Sequence, residues 1–133
     1  MANEAFCRAV NTISGSLFPA GFDISDNPPN TLRDLAMHVA RTGRMVVTAG
    51  PKTAHEFDTD ETWQAFRAWH DWCHIHGGHE FTLKGECAAV RMQHGMIAAR
   101  YGERRMREWL PILHKQIIHD NFGMAAFCPV TLQ

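Results

Sequence analysis

At 133 residues, 45% hydrophobic and 20% charged, the chain suits one compact domain with a single core and has too many core-forming residues for extended disorder. Thirteen Lys and Arg against fourteen Asp and Glu give a formal net charge of −1, which argues against a general nucleic-acid-binding surface. No apolar run approaches the roughly 18 residues needed to span a bilayer. The first residues lack the basic-then-apolar order of a signal peptide. A cytoplasmic setting is therefore expected, with Cys7, Cys73, Cys87 and Cys128 as reduced thiols, because they are scattered and form no C-x-x-C pair.

In chain order, Ala5, Phe6, Ala9, Val10 and Ile13 recur at helical spacing and predict a helix over 3–14, ended by Gly15-Ser16. Residues 15–29 read as an ordered loop closing on Pro28-Pro29. A helix over 31–42 follows, with Asn30 as N-cap, Leu32, Leu35, Ala36 and Val39 as its buried stripe, and Gly43 as its left-handed stop. Arg44 to Thr48 is a short β-like run expected to pair, if at all, with the C-terminal tail. Gly50-Pro51 opens a polar loop to Asp58.

The central helix is capped by Asp58 or Thr59, carries Asp60 and Glu61 in its first turn, and stops at Gly77-Gly78. Thr82 caps the next helix, 83–101, with Cys87, Val90, Ile97 and Tyr101 as its apolar stripe. A last helix covers roughly 103–121, where Pro111 must remove a backbone hydrogen bond and kink it, unless the helix starts afresh there. The tail, 124–133, is expected to pack back through Met124, Phe127, Val130 and Leu132. Short connectors between helices predict a mainly α, single-domain antiparallel bundle of three to five helices over 1–133, with at most a minor β-ribbon.

Nine histidines are the compositional outlier, and His70, His74, His76, His79 and His94 fall close together. On a helix, His70 and His74 are i and i+4, so their imidazoles share one face with Cβ atoms about 5–6 Å apart. That spacing can grip one divalent metal. Asp71 and His74 make a second workable pair. Antiparallel packing after a short turn brings Glu86 opposite them, with Gln93 two turns further along. Imidazole plus carboxylate suits zinc, manganese or iron. A metal with an open position activates water for hydrolysis, and Asp71 or Glu80 can act as general base. Without a metal, the same histidines need hydrogen-bond partners for both ring nitrogens, which Asp71 or Glu86 can supply.

Other constellations are absent. There is no G-x-S-x-G and no phosphate-cradling Gly-rich loop. The paired E-x-x-H motifs of a ferritin-like di-iron bundle are missing, since Glu86 is followed at that spacing by Ala89. Arg100, Arg104, Arg105 and Arg107 form a local basic patch able to contact phosphate or an acidic partner.

Two likenesses add to this reading. The string Ala65-Phe66-Arg67-Ala68-Trp69-His70-Asp71-Trp72-Cys73-His74, with Phe81-Thr82-Leu83-Lys84-Gly85-Glu86, resembles a group of small proteins of tailed bacteriophages. Thr31-Leu32-Arg33-Asp34-Leu35 and Thr42-Gly43-Arg44 belong to the same likeness. It implies a setting rather than an activity, namely a phage product acting in a bacterial cytoplasm or carried in the virion. The order His38, His70-Asp71, Asp120 resembles the H…HD…D ligand series of HD-domain metal phosphohydrolases, and implies His38 as a further metal ligand. Two function classes follow. The first is an accessory protein that binds and modulates a host or phage protein complex, such as an inhibitor of a host enzyme or defence system. The alternative is a metal-dependent hydrolase with His70, His74, Glu86 and His38 as metal ligands and Asp71 as the catalytic carboxylate.

Overall fold

A computed structural model describes residues 2–50, 55–123, 126 and 128. The chain is mainly α. Its elements are α1 (Glu4–Leu17), β1 (Asp23–Ser25), α2 (Leu32–Thr42), β2 (Val46–Thr48), α3 (Asp60–Gly77), α4 (Leu83–Tyr101) and α5 (Glu103–His114). A π-helical turn (Lys115–His119) continues α5 into a last short turn, α6 (Asp120–Phe122). No helix among the described residues is long and apolar enough to cross a membrane.

The helix ends follow local chemistry. Asn3, Thr31, Thr59 and Thr82 each accept a bond from the backbone amide three residues on, satisfying a donor that the first turn leaves without a partner. Thr31, not Asn30, is thus the cap of α2. Gly43 and Gly78 take the left-handed conformation at the ends of α2 and α3. Helix α1 outruns its predicted stop. Gly15 stays helical, at a propensity cost of about 1 kcal/mol, while the Ser16 hydroxyl bonds back to the Thr12 carbonyl at 3.1 Å. Leu17 packs on the core and continues the buried stripe of Val10 and Ile13.

Helix α3 is covered on several sides. Phe66, Trp69 and Cys73 enter the main core with Phe6, Val10 and Trp109. Ala68, on another side, packs under a small second cluster of Leu35, Met45, Val46 and Val47. His70 and His74, both 0% exposed, meet α4. Burying each large apolar side chain contributes about 1.5–3 kcal/mol, so α3 carries much of the folding free energy.

The β-like run was expected to pair, if at all, with the C-terminal tail, most of which lies outside the described residues. Among the described residues β2 lies parallel to β1, with Asp23 opposite Val46 and Ser25 opposite Thr48. Parallel strands need a crossover, and α2 supplies it. Arg44 also bonds Asp23 at 2.9 Å and holds the strand entrances together. The Gln64 amide donates to the Ala49 carbonyl at 2.7 Å, fastening the end of β2 to α3. Of α2's predicted stripe only Leu35 is fully buried, because α2 covers the small ribbon rather than the main core. Residues 51–54 of the loop and the tail positions Met124, Phe127, Val130 and Leu132 lie outside the described residues.

Cysteine usage also departs from expectation. Cys87 on α4 and Cys128 are joined in a disulfide with Cα atoms 5.5 Å apart, while Cys7 and Cys73 are free and buried. Separation along the chain hid a proximity that arises only when the tail returns to α4. Without reductant, a thiol count on denatured protein is expected to find two free thiols. Reduction is expected to lower the unfolding free energy by about 4 kcal/mol, the loop-entropy value for a closure of this length. Four free thiols in unreduced protein would contradict the pairing.

Candidate metal centre

Two helix ends meet at the site. His74 lies in the last turn of α3 and Glu86 in the first turn of α4. The helix dipoles favour a cation at the former and an anion at the latter. Between them the chain turns at Gly78, whose φ of 65° suits glycine. The amide of His79 then bonds the His74 carbonyl at 2.9 Å, and the His79 carbonyl returns to the His74 ring. Gly85 allows the tightest approach, because a Cβ there would collide with the Glu80 carbonyl. The turn can therefore seat Glu86 against α3 only with glycine at position 85.

The hydrogen bonds fix the tautomer of His74 and tie that of His70 to the Gln93 amide. His74 Nδ1 lies 2.7 Å from the His79 carbonyl oxygen, which only accepts, so Nδ1 donates. His70 Nδ1 lies 2.9 Å from Gln93 Oε1 and donates in this orientation of the amide. In neutral rings both Nε2 atoms then carry lone pairs. They sit 3.0 Å apart, and Glu86 Oε1 lies 2.6 Å from His70 Nε2 and 2.9 Å from His74 Nε2. Three acceptors this close repel unless a cation joins them. A proton on His74 is one solution and a metal ion is another. A neutral network without either closes only with the Gln93 amide reversed and His70 Nε2 donating to Glu86. In the orientation present, Gln93 Nε2 is buried without a partner.

Electrostatics follow from burial. Burial pushes the His70 pKa down and outweighs its bond to Glu86. Burial pulls His74 the same way, but its bond to Glu86, the carboxylate charge and the His79 carbonyl bring it above the ordinary value. Burial would raise Glu86, yet the two imidazoles bonded to it hold it at about 2. Asp71 is raised by burial despite the nearby charge of Arg67. Cys73, one residue before His74, is lifted by burial to about 12 and is inert as a nucleophile.

His70, Asp71 and His74 offer ligand atoms that all lie within 4.8 Å of one another, a group that could hold a metal ion. A cavity of about 300 Å³ opens beside it, walled by Asp71, Glu86, Arg67, Thr48 and the Pro29-Asn30 loop. Asp71 hydrogen-bonds to none of the described side chains and borders this cavity.

The remaining candidates lie elsewhere. His38 lines a neighbouring cavity of about 650 Å³ with Asp34 and Arg41, and is not part of the group. Asp120 is exposed on α6. The close ligand group thus takes the His70-Asp71 pair from the H…HD…D series, with His38 and Asp120 not among its members. His76 is exposed and stacks on Trp72, with ring centres 3.8 Å apart. His79 contributes its carbonyl. Glu80 is exposed on the turn. The imidazole of His94 is driven down to about 4, by burial first and then by the charges of His114 and Arg91. In the arginine patch, Arg105 and Arg107 pair with Glu108 and Glu103, and Arg100 bonds Ser16. Sequence reasoning missed the carbonyl partner of His74, the placing of Arg67 and the walls from β2 and the Pro29-Asn30 loop. Only the Gly77-Gly78 stop hinted at the first.

In metal-free protein, ring titration by NMR is expected to find His74 protonating above pH 6.5 and His70 below it. Raised His74 contributes stability that is complete below pH 6.5 and is lost as pH rises through its folded pKa. Depressed His70 costs stability as pH falls below 6.5. Glu86→Gln is expected to lower the His74 pKa and to cost about 3 kcal/mol in chemical unfolding; an unchanged His74 titration in that variant would contradict the assignment. Comparison with protein-family models, curated proteins and solved structures finds no match to this chain.

Proposed function

We propose that the chain is a metal-dependent hydrolase whose cation is held by His70 Nε2, His74 Nε2 and the Glu86 carboxylate, with Asp71 as the catalytic carboxylate. The observation that carries this reading is the convergence of His70 Nε2, His74 Nε2 and Glu86 Oε1 at 2.6–3.0 Å, with each ring's Nδ1 against an oxygen, the His79 carbonyl or, in the orientation present, the Gln93 amide. Metal-bound histidines are oriented in that way, the outer nitrogen donating to a carbonyl or similar acceptor. Metal bonds of about 2.0–2.1 Å at tetrahedral angles put ligand atoms about 3.3 Å apart. The separations of 2.6–3.0 Å need to open by about 0.3–0.7 Å to reach it. Two imidazoles and a carboxylate suit zinc, manganese or iron.

A cation with one open position supplies hydroxide near neutral pH by lowering the pKa of bound water to about 7. Asp71, at the cavity wall and raised by burial, is suited to take the proton of the attacking water and return it to the leaving group. Gln93 and the His79 carbonyl act through the imidazoles, holding their tautomers. The accessory-protein reading has a separate support, the exposed side chains of Ile24 and Met37 along the larger cavity.

Protein purified without nickel affinity is expected to carry about one equivalent of divalent metal per chain by elemental analysis. The His70→Ala, His74→Ala double variant is expected to lose it. Gln93→Leu is expected to weaken metal affinity about 10- to 100-fold while keeping the fold. Asp71→Asn is expected to keep the metal and lose hydrolysis of activated esters. Wild-type protein that folds but takes up no divalent cation would overturn the hydrolase reading and leave partner binding.

A further inference from the structure

Two carboxylates, Asp71 and Glu86, line the smaller cavity together with Arg67, Thr48 and Asn30. His70 and His74 stand behind Glu86, their Nε2 atoms 2.6 and 2.9 Å from its Oε1. Arg67 lies one helical turn before Asp71, so both project from the same face of α3. Arg and Asp at that spacing ordinarily pair, yet these two lie beyond ion-pair distance. Arg67 makes no hydrogen bond or ion pair with any described residue. Its guanidinium is braced only by the Trp63 ring, at 6.0 Å from the ring centre. The Thr48 hydroxyl and the Asn30 amide also lack side-chain hydrogen bonds among the described residues.

A permanent charge held half-buried with no partner among the described residues is unfavourable there. Beside a cation site the cost is compounded, because two positive charges then face one another across the cavity wall. An anion between the two positive centres relieves both. The planar guanidinium fork presents paired donors that match the oxygens of a carboxylate or phosphate.

We propose that Arg67, with the Thr48 hydroxyl and the Asn30 amide, is the recognition arm for an oxyanion of the substrate, a carboxylate or phosphate group. That group spans the cavity toward the cation held by His70, His74 and Glu86. The inference rests on the hydrolase reading and adds the substrate class to it: a small molecule with an anionic group next to the bond that is cleaved.

The test uses the full chain loaded with one equivalent of zinc and titrated calorimetrically with inorganic phosphate and, in a separate arm, with acetate. At least one anion is expected to bind, and the tighter arm identifies the class. Arg67→Met is expected to weaken that binding about 10- to 100-fold, the worth of a charge-assisted hydrogen bond or two. Its zinc content and circular dichroism are expected to match wild type. Thr48→Val is expected to give a smaller loss in the same direction. Equal binding by wild type and Arg67→Met at equal zinc content overturns the inference while leaving the metal site standing; so does a wild type that binds neither anion. If wild type takes up no zinc, the hydrolase reading fails, and the same titrations on zinc-free protein decide the anion arm. Arg67-dependent binding there supports it, and binding that ignores Arg67 or is absent overturns it.

Discussion

The site depends on where two protons sit. Because the His79 carbonyl and the Gln93 amide oxygen each take an Nδ1–H, the inner faces of His70 and His74 are left as acceptors, and Glu86 adds a third. Proteins rarely leave three buried acceptors in mutual contact, since each uncompensated group costs on the order of 1–3 kcal/mol. The fold holds them there through strong local constraints: a left-handed glycine that brings the His79 carbonyl back, a glycine at 85 that admits the turn, and a Thr82 cap that starts α4 at the right residue. Two helices meeting end to start supply dipoles of the matching sign.

Around this, α3 works as a shared partition. One side belongs to the aromatic core, where Phe66 lies against the His70 ring with ring centres 6.4 Å apart. Another is covered by the β1–α2–β2 layer, which also contributes Thr48 and the Pro29-Asn30 rim to the cavity. Phe81 closes the far side of His74 edge-on at 4.7 Å. The imidazoles are thus fixed by packing as well as by hydrogen bonds, the condition for a preorganised centre.

Much of this was legible in the sequence, and the boundary is physical. The helices α3 and α4, their caps and their glycine stops follow from short-range rules, and the pairing of His70, His74 and Glu86 follows from helical spacing plus one short turn. What escaped was non-local or carried by the backbone. Strand β1 has three residues, two of them exposed, in a Gly- and Pro-rich stretch, so no alternation announces it. The Cys87–Cys128 bond and the convergence of Arg67 with Thr48 depend on long-range packing that leaves no periodic trace. The carbonyl of His79 is invisible to any reading of side chains. His38, suggested by likeness of order along the chain, lines the neighbouring cavity, which shares the Pro29-Asn30 rim with the one beside the site.

Helix α5 does not run evenly to its end. Past Pro111 the backbone widens into the π turn at Lys115–His119, where the Asp120 amide reaches back five residues to the Lys115 carbonyl. Such a widening is the structural imprint of a one-residue insertion in an ordinary helix. Every position beyond it is rotated by about 100° relative to the uninterrupted register. Asn121, which reaches the cavity wall, owes its bearing to that offset. A variant shortened by one residue within 115–119 would have a more regular helix and would turn Asn121 away from the cavity wall.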